Sequence, residues 1–157
     1  MPPSPIHWPA RFEPGRSPVH VRNELTNSAP ATTVWAALIA APQWPDWYAN
    51  AHDVVVEGGA RDLGPGARFT WKTFGVALRS MVEEFIPETR IAWLAEAFGV
   101  SAWHAWLITP TEGGCRVLTE ETQHGVLARA GALFFLTRMS DWHQRWLEGL
   151  AGRAGDQ

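Results

Sequence analysis

The alternation of apolar and polar positions divides the chain into a strand, a short helical stretch, a long run of strands and a C-terminal helix. Val19, Val21 and Leu25 alternate with His20, Arg22 and Glu24, the period of a strand with one wet face. Asn27-Ser28-Ala29-Pro30 ends that strand, and Ser28 is placed to cap a short helix over 34–39. Pro42 and Pro45 break the next segment, 42–47, into a turn or a second short helix. From residue 53 the period is two. A short strand over 53–57 ends at Gly58-Gly59, and Gly64-Pro65-Gly66 marks a turn. Strands follow over 68–74, 76–86, 90–98 and 102–109, then the turn 110–114 and a last strand over 115–124. Strands in tandem with short turns make an antiparallel meander. From about Leu127 the period becomes helical: Phe135, Met139, Trp142, Trp146 and Leu150 fall on one apolar stripe, with Arg138, Asp141, Gln144, Arg145 and Glu148 mostly off it.

This order predicts an α+β fold: two short helices after the first strand, and a curved antiparallel sheet wrapped around a long C-terminal helix. A curved sheet and one helix leave space between them, which either large side chains plug or a cavity occupies. Residues 1–17 are proline-rich and without periodicity, so they read as an N-terminal arm, with His7, Trp8 and Phe12 as its docking groups. The folded domain proper is expected over 18–152.

Length and charge narrow the picture. The 157 residues suit one domain. Thirteen Lys and Arg against sixteen Asp and Glu give a net charge of -3, which argues against nucleic acid and against an anionic membrane surface. No run of about 18 apolar residues is present, so no membrane span is expected. The N-terminus lacks the apolar core of a secretory signal, and the lone Cys115 forms no internal disulfide; a cytoplasmic location is the expectation. Ten tryptophans stand against the single Tyr48. They describe either a wide cavity walled by flat rings or a heavy aromatic core, and composition leaves both open.

Three stretches carry a resemblance to a known family. Ala29-Pro30-Ala31-Thr32-Thr33-Val34-Trp35 with Trp44-Pro45-Asp46-Trp47 is similar to its opening helices, and Val82-Glu83-Glu84-Phe85-Ile86-Pro87-Glu88-Thr89-Arg90-Ile91-Ala92-Trp93 to its central hairpin. His104-Ala105-Trp106-Leu107, with Pro110 through Gly113-Gly114-Cys115-Arg116-Val117, is similar to its penultimate hairpin. Over roughly 19–150 the chain resembles the START/Bet v 1-like helix-grip superfamily, in its polyketide cyclase/dehydrase-like branch. The resemblance implies a deep cavity between sheet and C-terminal helix that binds a small hydrophobic molecule, a lipid or polyketide among them. Some members cyclise, aromatise or dehydrate what they bind, and others carry or sense it.

Sheet alternation assigns the cavity face. Phe69, Trp71 and Thr73 share it; His104, Trp106 and Ile108 share it on one later strand, and Val117, Thr119 and Glu121 on the last. The resemblance places Val82, Ile91 and Trp93 inward. Glu84, of Val82's parity, is then the inward acid, while Arg79 faces out and Glu83, Arg116 and Glu120 are solvated. His104 and Glu121, on adjacent strands, form the candidate catalytic pair, a general base tuned by burial, or else a plain structural hydrogen bond. Trp44, Trp47 and Tyr48 either form the cavity mouth or pin the short helices. The expected ligand-binding set is Trp47, Tyr48, Phe69, Trp71, Val82, Glu84, Trp93 and Trp106, joined by Phe135, Met139 and Trp142 from the helix. The six histidines are scattered without an H-x-x-x-H pair, so no metal and no cofactor are expected.

Three functions fit. One is binding of a small hydrophobic or amphipathic ligand without turnover. Another is a cofactor-independent cyclase, aromatase or dehydratase. The third is a protein-interaction module with a plugged cavity. Convergent polar groups deep in a pocket would favour the enzyme, and an almost wholly apolar pocket the carrier. The sequence leaves the oligomeric state open.

Overall fold

The computed structural model describes residues 5–156. Seven strands form one antiparallel sheet: β1 (Val19–Asn27), β2 (His52–Val56), β3 (Arg68–Thr73), β4 (Val76–Ile86), β5 (Arg90–Ala97), β6 (Val100–Thr111) and β7 (Gly114–His124). Their spatial order is β1-β7-β6-β5-β4-β3-β2, so the meander is continuous and β1 closes against the last strand. Helices α1 (Ala31–Ile39) and α2 (Trp44–Trp47) join β1 to β2, and α3 (Val126–Gly131) and α4 (Leu136–Gly155) follow β7. The long α4 lies in the concave face, and its inner stripe, Met139, His143, Trp146, Leu147 and Leu150, is buried.

Several details depart from the sequence expectations. Ser28 does not cap α1. The helix starts at Ala31 behind Pro30, whose carbonyl takes the Thr33 and Val34 N–H groups, while Asn27 Oδ1 accepts the Ala29 N–H. The turn expected from Pro110 begins later, because β6 runs on to Thr111. Ile108 donates its N–H to Thr89 past the last β5 pair. Pro110, two residues on, points the same way, so its missing N–H faces no strand. The helix expected from Leu127 is two helices: the Gly131 carbonyl takes both the Phe134 and Phe135 N–H groups, and α4 begins only at Leu136.

The concave core gathers around Trp44, whose ring centroid lies 5.2–5.9 Å from those of Phe69, Trp71, Trp93 and Trp146. Its indole N–H donates to the Leu38 carbonyl at 2.9 Å. Trp44 therefore sits at the centre of the packing and not at a mouth. Trp47 pins α2 to α4, its carbonyl and ring lying against Gly149, where a Cβ would come within 2.7 Å of that oxygen.

The convex face carries a second core. Ile6 and Phe12 of the arm are buried against Ala92, Trp103, Ala105, Leu107 and Leu118. The Phe12 carbonyl accepts the Thr122 hydroxyl at 2.8 Å, and Arg90 donates to the Pro5 carbonyl at 2.9 Å. Residues 1–4 of the expected arm lie outside the described residues. This cover explains why 102–108 are buried without alternation, since β6 is packed on both faces. It also overturns the solvated reading of Glu120, which is buried with its carboxylate 2.8 Å from His20 Nε2.

Glu84 is a further correction. The β4–β5 register shifts between Val82 and Glu84, so a bulge reverses the parity that was to bring Glu84 inward. Glu84 instead pairs with His7 of the arm at 2.7 Å, while Val82 keeps its place in the concave core.

Because Phe12 anchors the arm, Phe12→Ala should destabilise the fold by about 3 kcal/mol. Urea unfolding followed by tryptophan fluorescence reads this out, and a change well under 1 kcal/mol would show that the arm rests on the sheet without stabilising it.

A buried histidine–carboxylate cluster in the cavity

Tryptophans fill only half of the grip. In the other half, between β3–β7 and the α3–α4 pair, a cavity of about 450 Å³ remains. Trp71, Trp93 and Trp146 wall it on the crowded side. Ala95 and Ala102 on adjacent strands leave room at its floor, and Met139 closes it from the helix. Val76, Leu127, Phe134, Phe135 and Leu136 line it too and are at least 38% exposed, so the mouth is an apolar rim. The α3 end of that rim is held against the β5–β6 turn: Leu127 donates its N–H to the Gly99 carbonyl. Gly125 allows this approach, since at its φ of 112° a Cβ would lie 2.2 Å from the same oxygen.

Five members of the expected ligand set line the cavity: Tyr48, Trp71, Trp93, Phe135 and Met139. Phe69, Val82 and Trp106 sit behind the wall as core, because the Trp44 cluster reaches the sheet before the cavity does. Trp47 and Trp142 are half-buried and off the lining; Trp142 lies 6.0 Å from the Tyr48 ring under the Arg145 guanidinium. Glu84 is on the other face of the sheet, as described.

The polar residues converge in one corner. The β6–β7 register sets His104 opposite Glu121, and His104 Nδ1 lies 3.2 Å from Glu121 Oε2. His143, two turns into α4, brings its Nε2 to the same oxygen, also at 3.2 Å. Gln123 donates to Glu121 Oε1 at 2.6 Å. On the far side of His104, Nε2 stands 2.8 Å from the Thr119 hydroxyl, which is itself 3.2 Å from the Ala105 carbonyl. The two imidazole centroids are 4.9 Å apart. Tyr48 stacks on Trp146 at 4.5 Å and accepts from the Asn50 amide at 3.3 Å.

Sequence reasoning missed His143 and Gln123. His143 is one position off the apolar stripe traced through Trp142, and no local motif links it to a strand residue 22 positions earlier. A histidine on the buried side of an amphipathic helix is the available signal, and the partner follows only from the fold. His124 goes elsewhere, against Ser17 and the Phe12 ring.

Electrostatics keep the corner in a defined state. Burial takes the His104 imidazole from its ordinary 6.5 down to about 3, with Glu121 opposing and His143 reinforcing the fall. Burial alone would raise Glu121, but His104, His143 and the Gln123 amide outweigh it and hold the carboxyl below the usual carboxylate range. Burial pushes the Tyr48 hydroxyl well above its ordinary 10, so it stays protonated. The unfolded chain therefore binds more protons than the fold between pH 6.5 and 3 at His104, and again below pH 4.5 at Glu121. Stability falls as pH drops through that window. Between pH 7 and pH 5 the loss attributable to His104 should be about 2 kcal/mol, and His104→Gln should flatten the slope. Urea midpoints at the two pH values check this, and equal slopes in both proteins would refute it.

The comparisons with known proteins bear on the fold and the family. The model of a family described as polyketide cyclase / dehydrase and lipid transport matches residues 18–155. A comparison with curated proteins finds no match. Among solved structures, a hypothetical protein from Helicobacter pylori is 31% identical, with a TM-score of 0.89 over 98% of each chain. The di-domain ARO/CYC StfQ from the steffimycin biosynthetic pathway is 16% identical, with a TM-score of 0.70 over 88% of this chain and 51% of its own. Ara h 8.0201 is 10% identical, with a TM-score of 0.65 over 88% of this chain and 99% of its own. The fold is that of the START/Bet v 1-like helix-grip superfamily, and within it the chain belongs to the polyketide cyclase / dehydrase and lipid transport family.

Proposed function

We propose that the protein takes a small hydrophobic or amphipathic molecule, lipid-like or polyketide-like, into this cavity with its polar group against the His104–Glu121–His143 corner. The observation that carries this reading is the cavity itself: about 450 Å³, apolar on most of its wall, with one polar corner. That volume is in the range of small-molecule sites, and a few placed polar groups in an apolar pocket are what orient a ligand. The exposed apolar rim supports entry at that end. An interaction module with a plugged cavity does not fit an open one.

A second reading is favoured by one observation: two imidazoles share one carboxylate oxygen. In a cofactor-independent cyclase, aromatase or dehydratase, one imidazole takes a proton from the bound chain while Glu121 steadies the charge that results. The same imidazolium, or the second imidazole after the proton passes across the shared Glu121 oxygen, returns it at a departing oxygen. The cavity would fold the chain so that its reacting atoms meet.

Titration with the amphipathic fluorophore 1-anilinonaphthalene-8-sulfonate tests the first reading. The protein should bind it saturably, and Ala102→Trp, which fills the floor, should weaken binding by at least about tenfold. Absence of saturable binding, or the same affinity in Ala102→Trp, would sink it. For the second, Glu121→Gln should abolish turnover of a linear poly-β-ketone while leaving fluorophore affinity within about twofold. Undiminished turnover in that variant would remove the cluster from the chemistry.

A further inference from the structure

His104, Glu121 and His143 are an expected absence turned into a candidate. No metal-ligand spacing exists along the sequence, yet β6, β7 and α4 deliver two imidazoles and a carboxylate whose ligating atoms all lie within 4.8 Å of one another. We propose that this triad binds a divalent transition-metal ion with one coordination position open to the cavity, where the polar group of the bound molecule ligates it. The proposal rests on the reading that the cavity holds a small molecule, and it identifies what meets that molecule's polar end.

The first argument is geometric. Glu121 Oε2 is 3.2 Å from His104 Nδ1 and 3.2 Å from His143 Nε2. Ligands about 2.0–2.2 Å from one tetrahedral ion stand about 3.3–3.6 Å from each other, so the carboxylate oxygen already stands close to that spacing from each imidazole nitrogen. Two histidines and one carboxylate are a recurring donor set for ions that keep an open position.

The second argument is the wiring behind the ligands. The Thr119 hydroxyl has a single hydrogen and two neighbours, His104 Nε2 at 2.8 Å and the Ala105 carbonyl at 3.2 Å. When the hydroxyl donates to the carbonyl, Nε2 must carry its own hydrogen to donate to Thr119. In that tautomer His104 Nδ1 turns a bare lone pair toward a carboxylate oxygen, which a cation between them would satisfy; in the other tautomer Thr119 donates to Nε2 and the Nδ1–H donates to Glu121 with no ion. Gln123 occupies the other carboxylate oxygen at 2.6 Å and leaves Oε2 for the ion. A hydroxyl orienting the imidazole and an amide orienting the carboxylate are the outer contacts that metal ligands have.

The third argument is position. All three residues line the cavity, so the open coordination position faces the bound molecule and not bulk water. Oxygen donors such as a carboxylate, an enolate or a 1,3-dicarbonyl fit it. An ion and a proton relay exclude each other here, because the same lone pairs serve both.

The test uses the full-length protein, stripped with a chelator and titrated with Co²⁺ followed by visible absorption, then displaced with Zn²⁺. A single equivalent of Co²⁺ with the intense d–d bands of a four- or five-coordinate ion is expected. His143→Ala and Glu121→Gln should lose it, His124→Ala should keep it, and Thr119→Val should bind about 10–100-fold more weakly. Retention of the equivalent by His143→Ala, or its absence from wild-type protein with intact near-ultraviolet circular dichroism, would overturn the proposal. Fluorophore affinity of the protein as purified, before stripping, is recorded alongside. Failure of the metal titration with that affinity intact refutes the ion and leaves the ligand cavity standing, whereas loss of the affinity itself refutes the cavity reading.

Discussion

A carboxylate under the concave face of a sheet has to be met by donors, and Glu121 draws them from three elements. An ionised group of this burial costs several kcal/mol unless it is paired and hydrogen-bonded. Here β6 supplies His104, β7 supplies Gln123, and α4 supplies His143. The last of these matters most for the architecture, because it is a charged contact between the helix and the floor of the sheet. Asn23 makes the complementary contact at the sheet edge, donating to the Ser140 carbonyl at 3.1 Å. Helix α4 is thus held by directional bonds as well as by apolar packing, which fixes its rotation and with it the shape of the cavity.

The aromatic residues explain why there is a cavity only in half of the grip. Trp44, Trp71, Trp93 and Trp146 interlock between α1, α2, β3, β5 and α4 and leave no room there. Where β5 and β6 carry Ala95 and Ala102 opposite each other, no ring reaches across. The composition that left a plugged core and an aromatic-walled cavity equally open resolves into both, on opposite sides of the Trp93–Trp146 boundary. Large rings build the wall, and small residues decide where the space behind it begins.

Much of the fold was legible because its strands are regular. The period-two run from β3 to β7 gave the meander, and the apolar stripe of α4 gave the helix it wraps. His104 and Glu121 could be put on one face because β6 and β7 pair without interruption from Ser101–His124 to Thr111–Gly114. Glu84 could not, because a single bulge between Val82 and Glu84 reverses parity and nothing in the local sequence announces it. Glu120 was misread for a different reason: alternation presumes one wet face, and the arm, far away in sequence, dries it. His143 was invisible as a partner because a helix and a strand have no shared register from which contact can be inferred.

Exposure along α4 then orders the cavity from outside to inside. Leu136 at the mouth is 38% exposed, Met139 one turn on is 7%, and His143 a further turn on is 2%. An amphipathic molecule entering at the rim meets apolar surface first and the polar corner last. Burying its chain against that wall is favourable at about 25 cal/mol per Å², while its polar group loses water only where the cluster replaces it. A molecule with no polar end gains the same chain burial but leaves the corner unanswered. One with a polar group in mid-chain must strip that group against tryptophan. On the reading that the cavity holds a small molecule, the arrangement of wall and corner would select molecules polar at one end, and would do so by the cost of the wrong orientation more than by the strength of any one contact.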